Sequence, residues 1–135
     1  MPIVSWSDEH SVNVEEIDIQ HKKIIELVNN LHSSVENSVD KTELENLLIK
    51  LVEFTHKHFA YEEKLMKTHA FHSYKKHRKE HKMLLHHLDN LVAGVSNGEY
   101  PTFRSDYDVS SDWAIVHIIE CDKHLGAFLN SKNIF

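Results

Sequence analysis

The sequence predicts an all-α protein: an up-down-up-down antiparallel four-helix bundle with an N-terminal arm. Three observations predict it. Nothing between residues 3 and 93 must break a helix, because the only prolines are Pro2 and Pro101 and the only glycines are Gly94, Gly98 and Gly126. Four stretches repeat their apolar residues at steps of three and four. The segments joining those stretches are short, which makes sequential helices antiparallel neighbours.

In chain order, residues 1–17 form the arm, with Ile3, Val4 and Trp6 available to pack against the outside of the bundle. The first helix is expected over 18–37, with Asp18 as N-cap and His21, Ile24, Val28, Leu31 and Val35 along its core stripe. The second is expected over 41–67, opened by Asp40 or Thr42. Its stripe is Leu44, Leu47, Leu51, Phe54 or Thr55, His58, Glu62 and Leu65. The third is expected over 71–94 with Gly94 as its stop, and its stripe is Tyr74, His77, His81, Leu84, Leu88 and Leu91. "SNGEYPT" (96–102) is a turn-rich loop. The fourth helix is expected over 105–130, with Trp113, His117, Cys121, Leu125 and Phe128 on its stripe. No internal repeat or low-complexity segment interrupts this order, so residues 1–135 are expected to be one domain, with the bundle over 18–130.

Composition narrows the function classes. A chain of 135 residues buries about 65–70% of its unfolded surface, enough for a core without disulfide staples. The balance of 15 Lys and Arg against 21 Asp and Glu, a formal charge of −6, argues against a nucleic-acid binder. The one basic run, "KKHRKEHK" (75–82), is expected to be a solvated helix face. Cys121 is the sole cysteine, which excludes an intrachain disulfide and a Cys-rich zinc site. No apolar run approaches the ~20 residues that cross a bilayer, and the start lacks a basic segment followed by an apolar one. The expected location is the cytoplasm, without membrane insertion.

One compositional feature stands apart: 13 histidines, scattered rather than clustered in a tract. All four core stripes carry histidine: His21 on the first, His58 on the second, His77 and His81 on the third, His117 on the fourth. Glu62 follows His58 by four residues, and Asp122 follows His117 by five. Four residues along a helix rise ~6 Å with nearly the same facing direction, so such a pair can reach one cation or two adjacent ones. In an antiparallel bundle the start of the first helix, the end of the second, the start of the third and the last half of the fourth meet at one level. All seven groups lie there.

A single histidine on an apolar face is ordinarily a hydrogen-bonded core residue. Five with two carboxylates at one depth are another matter, since buried polar groups lacking partners cost about 1–3 kcal/mol each. Cations satisfy them together. Imidazole and carboxylate without thiolate suit iron, zinc, copper or manganese. Seven protein ligands are too many for one ion. Two ions share them if Glu62 and Asp122 bridge, which leaves one ion short of six-coordination and open to dioxygen.

At this point the sequence resembles the bacterial hemerythrins. The resemblance runs through "IDIQHKKIIELVNNLH" (17–32), "HFAYEEKLM" (58–66), "HRKEH" (77–81) and "WAIVHIIECDKHLGAFL" (113–129). The family pattern of a lone His, H-x-x-x-E, H-x-x-x-H and H-x-x-x-x-D is complete and in order. The resemblance implies two iron ions in a non-haem centre. His77, His81 and His117 would bind one, His21 and His58 the other, with Glu62, Asp122 and a solvent-derived oxo or hydroxo group as bridges. Dioxygen would bind reversibly at the open position on the iron held by His21 and His58. The implied role is oxygen carriage, storage or delivery, without an enzymatic reaction, through dioxygen and an oxygen-accepting or redox partner protein. The alternatives are a di-iron oxidoreductase turning over peroxide or nitric oxide, and an oxygen or redox sensor acting through a partner.

Two positions test the resemblance. Spacing alone favours Glu120, three after His117, over Asp122, whose helical offset of ~140° points to a neighbouring face; the family pattern favours Asp122. Many members carry leucine after the tryptophan, where this chain has Ala114. Trp113 and Ala114, about one turn before His117, are expected to line the oxygen pocket, and the smaller side chain should admit water. Glu63 and Glu120 are expected to be solvated or to stand behind the ligands, as are His10, His32, His69, His72, His86 and His87. "EFTH" (53–56) has the E-x-x-H spacing of ferritin-like di-iron sites but lacks a second copy on a core stripe. His124, two turns from His117, is placed to line the interior, and Cys121 is expected to be packing.

Overall fold

The computed structural model describes residues 5–98 and 121–135. A short 3₁₀ turn at Asp8–His10 leads into α1 (Glu15–Glu36), α2 (Lys41–Thr68), α3 (Tyr74–Ser96) and, after a π-helical Cys121 and Asp122, α4 (Lys123–Ser131). Among the described residues there is no strand, and α2 packs on both α1 and α3. The fold is an all-α four-helix bundle, as the periodicity predicts. No described helix is long and apolar enough to cross a membrane.

Boundaries differ from expectation where capping chemistry differs. Asp40 caps α2 by accepting the Glu43 N–H at 2.8 Å. Asp18 does not cap α1, which begins at Glu15 after Val14. Its carboxylate instead accepts the Ser11 hydroxyl and the Val12 N–H and ties the arm to α1. Gly94 does not stop α3. The helix runs to Ser96, and the left-handed residue beyond it is Gly98, with φ of 90°. The other helices also end on a left-handed residue, but not on glycine: Ser38, Ala70 and Asn133 have φ of 51°, 54° and 62°. Behind each, two backbone N–H groups close onto the last turn. Val39 donates to Ser34 and Ser38 to Val35; Phe71 to Met66 and Ala70 to Lys67; Ile134 to Leu129 and Asn133 to Asn130. Each pair satisfies carbonyls the helix would leave open, and the chain reverses without glycine.

The arm does more than lie on the outside. Val12, Val14 and Ile17 are buried with Met66, Phe71, Leu125 and Leu129 in one apolar cluster. A second cluster joins Ile24, Leu27, Val28 and Leu31 of α1, Leu44, Leu48 and Leu51 of α2, and Leu88 and Val95 of α3. The predicted stripe of α2 is one residue out at Leu47 and Leu65, where Leu48 and Met66 are buried instead. Trp6 is half-buried, with the Lys22 ammonium 5.1 Å from its ring. Ile3 and Val4 lie outside the described residues.

Candidate metal centre

Between the two apolar clusters lies a layer of polar side chains. It falls between Ile17 and Ile24 on α1, between Leu51 and Met66 on α2, and between Phe71, just before α3, and Leu88 within it. His21, His58, Glu62, His77, His81 and Asp122 are all buried in it. The stripes put them there: His21 takes a step of the α1 stripe, His58 and Glu62 two steps on α2, His77 and His81 two on α3. The apolar clusters on either side leave the layer little access to bulk water.

The carboxylates divide their oxygens between two pairs of imidazoles. Glu62 Oε2 faces His58 Nε2 at 3.4 Å and His21 Nε2 at 4.0 Å, while its Oε1 faces His81 Nε2 at 3.0 Å and His77 Nε2 at 3.6 Å. Asp122 repeats the division. Its Oδ2 faces His21 Nε2 at 2.7 Å and His58 Nε2 at 3.7 Å, and its Oδ1 faces His77 Nε2 at 2.9 Å. Two overlapping groups result, His21–His58–Glu62–Asp122 and Glu62–His77–His81–Asp122, each with its ligand atoms within 4.8 Å of one another.

The spacing fits cations better than protons. Donors about 2.1 Å from a shared ion at right angles sit about 3 Å apart, and opposed donors about 4.2 Å. Six of the seven distances fall at about that range, four of them beyond a normal N–H···O hydrogen bond, and the seventh, His21 Nε2 to Asp122 Oδ2 at 2.7 Å, is at hydrogen-bond distance. The tautomers agree. His58 Nδ1–H donates to the Gln20 amide oxygen at 2.7 Å, and His81 Nδ1–H to Glu63 at 3.2 Å. With Nδ1 as donor, the neutral ring turns its Nε2 lone pair toward carboxylate oxygens, which also carry lone pairs. A positive ion between them removes that repulsion. The residues therefore fit metal binding, with Glu62 and Asp122 common to both groups.

Packing fixes the rings. Phe59 stacks on His81 with centroids 3.8 Å apart and planes 5° from parallel. His21 meets His58 edge-on at 4.7 Å, and His77 meets His81 the same way at 4.5 Å. Glu63, which accepts from His81, is also 3.4 Å from Arg78 Nε.

Asp122 is buried within both groups although its spacing from His117 is five. Cys121 and Asp122 are themselves π-helical, which departs from the α-helical facing that the spacing argument assumes. His117, Trp113, Ala114 and Glu120 lie outside the described residues. His56 and His124 are exposed, as is Glu53. The E-x-x-H stretch therefore faces away from the interior, and His124 does not line it. His32 pairs with Glu36 at 3.2 Å, His10 accepts the Ser7 N–H at 3.0 Å, and neither belongs to the two groups. Gln20 was not legible as a site residue: it precedes His21 by one and carries no motif of its own.

The residues 12–129 match the family model described as "Hemerythrin HHE cation binding domain". Among curated proteins, the bacteriohemerythrin of Methylococcus capsulatus is 28% identical over 132 residues, 97% of this chain and 100% of its own length. The myohemerythrin of Sipunculus nudus is 28% identical over 117 residues, 87% of this chain and 86% of its own. Against the bacteriohemerythrin of Pseudomonas aeruginosa, 29% identical over 94 residues, the match spans 70% of this chain and 61% of the relative's length. Among solved structures, a hemerythrin in which one leucine is replaced by alanine superimposes with a TM-score of 0.84 at 29% identity, covering 96% of this chain and 98% of that one. Wild-type hemerythrin gives 0.83 at 28% identity, covering 94% and 98%.

Proposed function

The chain belongs to the hemerythrin family of cation-binding domains, and from that premise we propose that it binds dioxygen reversibly at a pair of iron ions. One observation carries the reading: two buried carboxylates split their oxygens between the two halves, Glu62 between His21–His58 and His77–His81, and Asp122 between His21–His58 and His77. That is the arrangement two bridged ions require. When bound, two irons supply one electron each to dioxygen and recover both on release.

The remaining chemistry belongs to this chain. His21 and His58 serve one ion and His77 and His81 the other, with Glu62 and Asp122 between them. His117 is proposed to complete the second half, so that the first keeps the open position. Trp113 and Ala114 are proposed to line the approach. The apolar clusters above and below hold the site dry, and within it His21, His58, Glu62, His77, His81 and Asp122 face one another while Gln20 and Glu63 support two of the rings. With these eight engaged as ligands or supports, the site favours binding over turnover. The chain is proposed to act as one domain in the cytoplasm, exchanging oxygen or electrons with a partner protein.

The test is an absorption spectrum of the iron-loaded protein, reduced without air, then aerated, then degassed. Near-ultraviolet and visible bands that appear with oxygen and vanish on degassing are the expected result. Bands that never reverse, with turnover of peroxide or nitric oxide above the rate of free iron, would replace carriage by an oxidoreductase. A colourless protein holding two zinc ions would refute both.

A further inference from the structure

The two imidazoles with assigned supports are held from behind by groups of unequal charge. Behind His58 stands a neutral amide, Gln20, whose oxygen accepts Nδ1–H at 2.7 Å. Behind His81 stands a carboxylate, Glu63, accepting at 3.2 Å. Both links cross between helices: Gln20 on α1 orients a ring of α2, and Glu63 on α2 orients a ring of α3. Each ring is thus aimed by an element other than its own. Both supports fix the same tautomer, with Nε2 facing the carboxylate layer. They differ in what they do to that nitrogen. An anionic acceptor draws the Nδ1 proton away from the ring and makes the opposite nitrogen a stronger donor to a metal. A neutral amide oxygen does so far more weakly. Arg78, half exposed at 3.4 Å, pins Glu63 and screens part of its charge without displacing it from His81.

We propose that Gln20 and Glu63 are positioning residues that add to the electronic inequality of the two halves of the centre, helping the His77–His81 half to hold the higher charge state more tightly than the His21–His58 half. The proposal rests on the iron-pair reading above. Its consequence is two separate one-electron oxidations rather than one concerted pair, with the first at the half backed by Glu63. That leaves the His21–His58 half, proposed as the open one, reduced for longer.

The experiment uses the full chain, loaded with iron and reduced without air, then oxidised through a series of soluble mediators. Each step takes one electron from one iron to the mediator, and the mixed-valent state is counted by electron paramagnetic resonance. Wild type should show two resolved steps. Glu63→Gln keeps a carbonyl acceptor of nearly the same shape and removes only the charge. It should reduce the stability constant of the mixed-valent state at least about tenfold, a narrowing of 59 mV for a one-electron couple. Gln20→Glu should narrow the gap from the other side. The double exchange, which inverts the two supports, should shift the gap further in the same direction than either single exchange. A support of shape alone predicts unmoved potentials in Glu63→Gln. If wild type takes up two irons and both single variants keep its potentials, the contribution of Gln20 and Glu63 to the inequality is refuted while oxygen binding stands. If wild type does not take up two irons, the oxygen-binding reading falls and takes this one with it. Should Glu63→Gln fail to fold, Gln20→Glu decides alone.

Discussion

At the scale of single residues, the chemistry was legible where a side chain broke a pattern and illegible where it did not. His21, His58, His77 and His81 stand at positions a leucine would fill, and that mismatch with helical periodicity marks them. Glu62 is marked the same way. Asp122 is not, because ordinary helical geometry turns it off the stripe; residues 121 and 122 are π-helical, and α-helical periodicity cannot anticipate that. Gln20 and Glu63 occupy positions where polar residues are normal on a helix flank, so nothing in the sequence separates them from solvated neighbours. Ala114 follows from comparison with the family's leucine. Restoring leucine there should slow autoxidation of the oxygenated protein, measured as the decay of its visible band in air; equal rates in wild type and Ala114→Leu would remove Ala114 from the oxygen pocket. Tyr61, packed against the arm-side cluster, makes a prediction about pH. Burial, and secondarily Glu16, push its hydroxyl above the ordinary tyrosine value of 10.0. The folded state therefore holds the proton more tightly than the unfolded one. Its contribution is intact below pH 10 and is lost as pH rises through the folded value. Tyr61→Phe should flatten the alkaline decline in stability, followed by urea unfolding between pH 9 and 11.

At the scale of elements, the existence and order of the helices follow from the three-and-four spacing, while their ends depend on backbone conformations that residue type only biases. Three described helices stop on Ser38, Ala70 and Asn133 in the left-handed region, where a search for glycine finds nothing. The glycine that was expected to stop α3 sits inside it, and Gly98 takes that role. The same logic gives opposite signs for two substitutions. Ala70→Gly relieves a left-handed alanine and should raise stability by about 0.5–1 kcal/mol after the added freedom of the unfolded chain is subtracted. Gly126→Ala would on helix propensity alone gain about 1 kcal/mol. Yet a Cβ there would lie 2.2 Å from the Val12 carbonyl oxygen, where the arm crosses α4. Backbone cannot yield as a flexible side chain does, so the expected result is a loss of about 1–3 kcal/mol, with the arm displaced. Urea unfolding of both variants at neutral pH decides it. A stabilised Gly126→Ala would mean that the arm does not pack as described. The arm has a further tie, in which Asn130 Nδ2 donates to the carbonyl of Asn13 at 3.0 Å. Neither contact is visible in the sequence, because both join residues more than a hundred positions apart.

At the scale of the whole molecule, the bundle places a charged layer between two apolar clusters, an arrangement that works against its own stability unless the layer is neutralised. Glu62 and Asp122 are both fully buried, with oxygens converging on the same imidazoles. Two anions so close in a dry interior repel one another, and each has lost its water. The metal-free protein should therefore be less stable than a variant that lacks one of the charges. Glu62→Gln is close in shape and should raise the stability of the metal-free form by about 1–3 kcal/mol. With iron(II) present the order should invert. A metal at a hundred times its dissociation constant stabilises the wild type by about 2.7 kcal/mol. For a domain of this size that is roughly a 10 °C rise in melting temperature. Glu62→Gln removes the charge of a proposed ligand and should lose most of that rise. Thermal unfolding followed by circular dichroism, with chelator and then with anaerobic iron(II), reads both comparisons on the same two proteins. A Glu62→Gln variant that is destabilised without metal and gains as much from iron as wild type would show that Glu62 serves the core as a packing residue. A crossing of the two curves would show that the fold gives up stability at this layer in order to hold ions there.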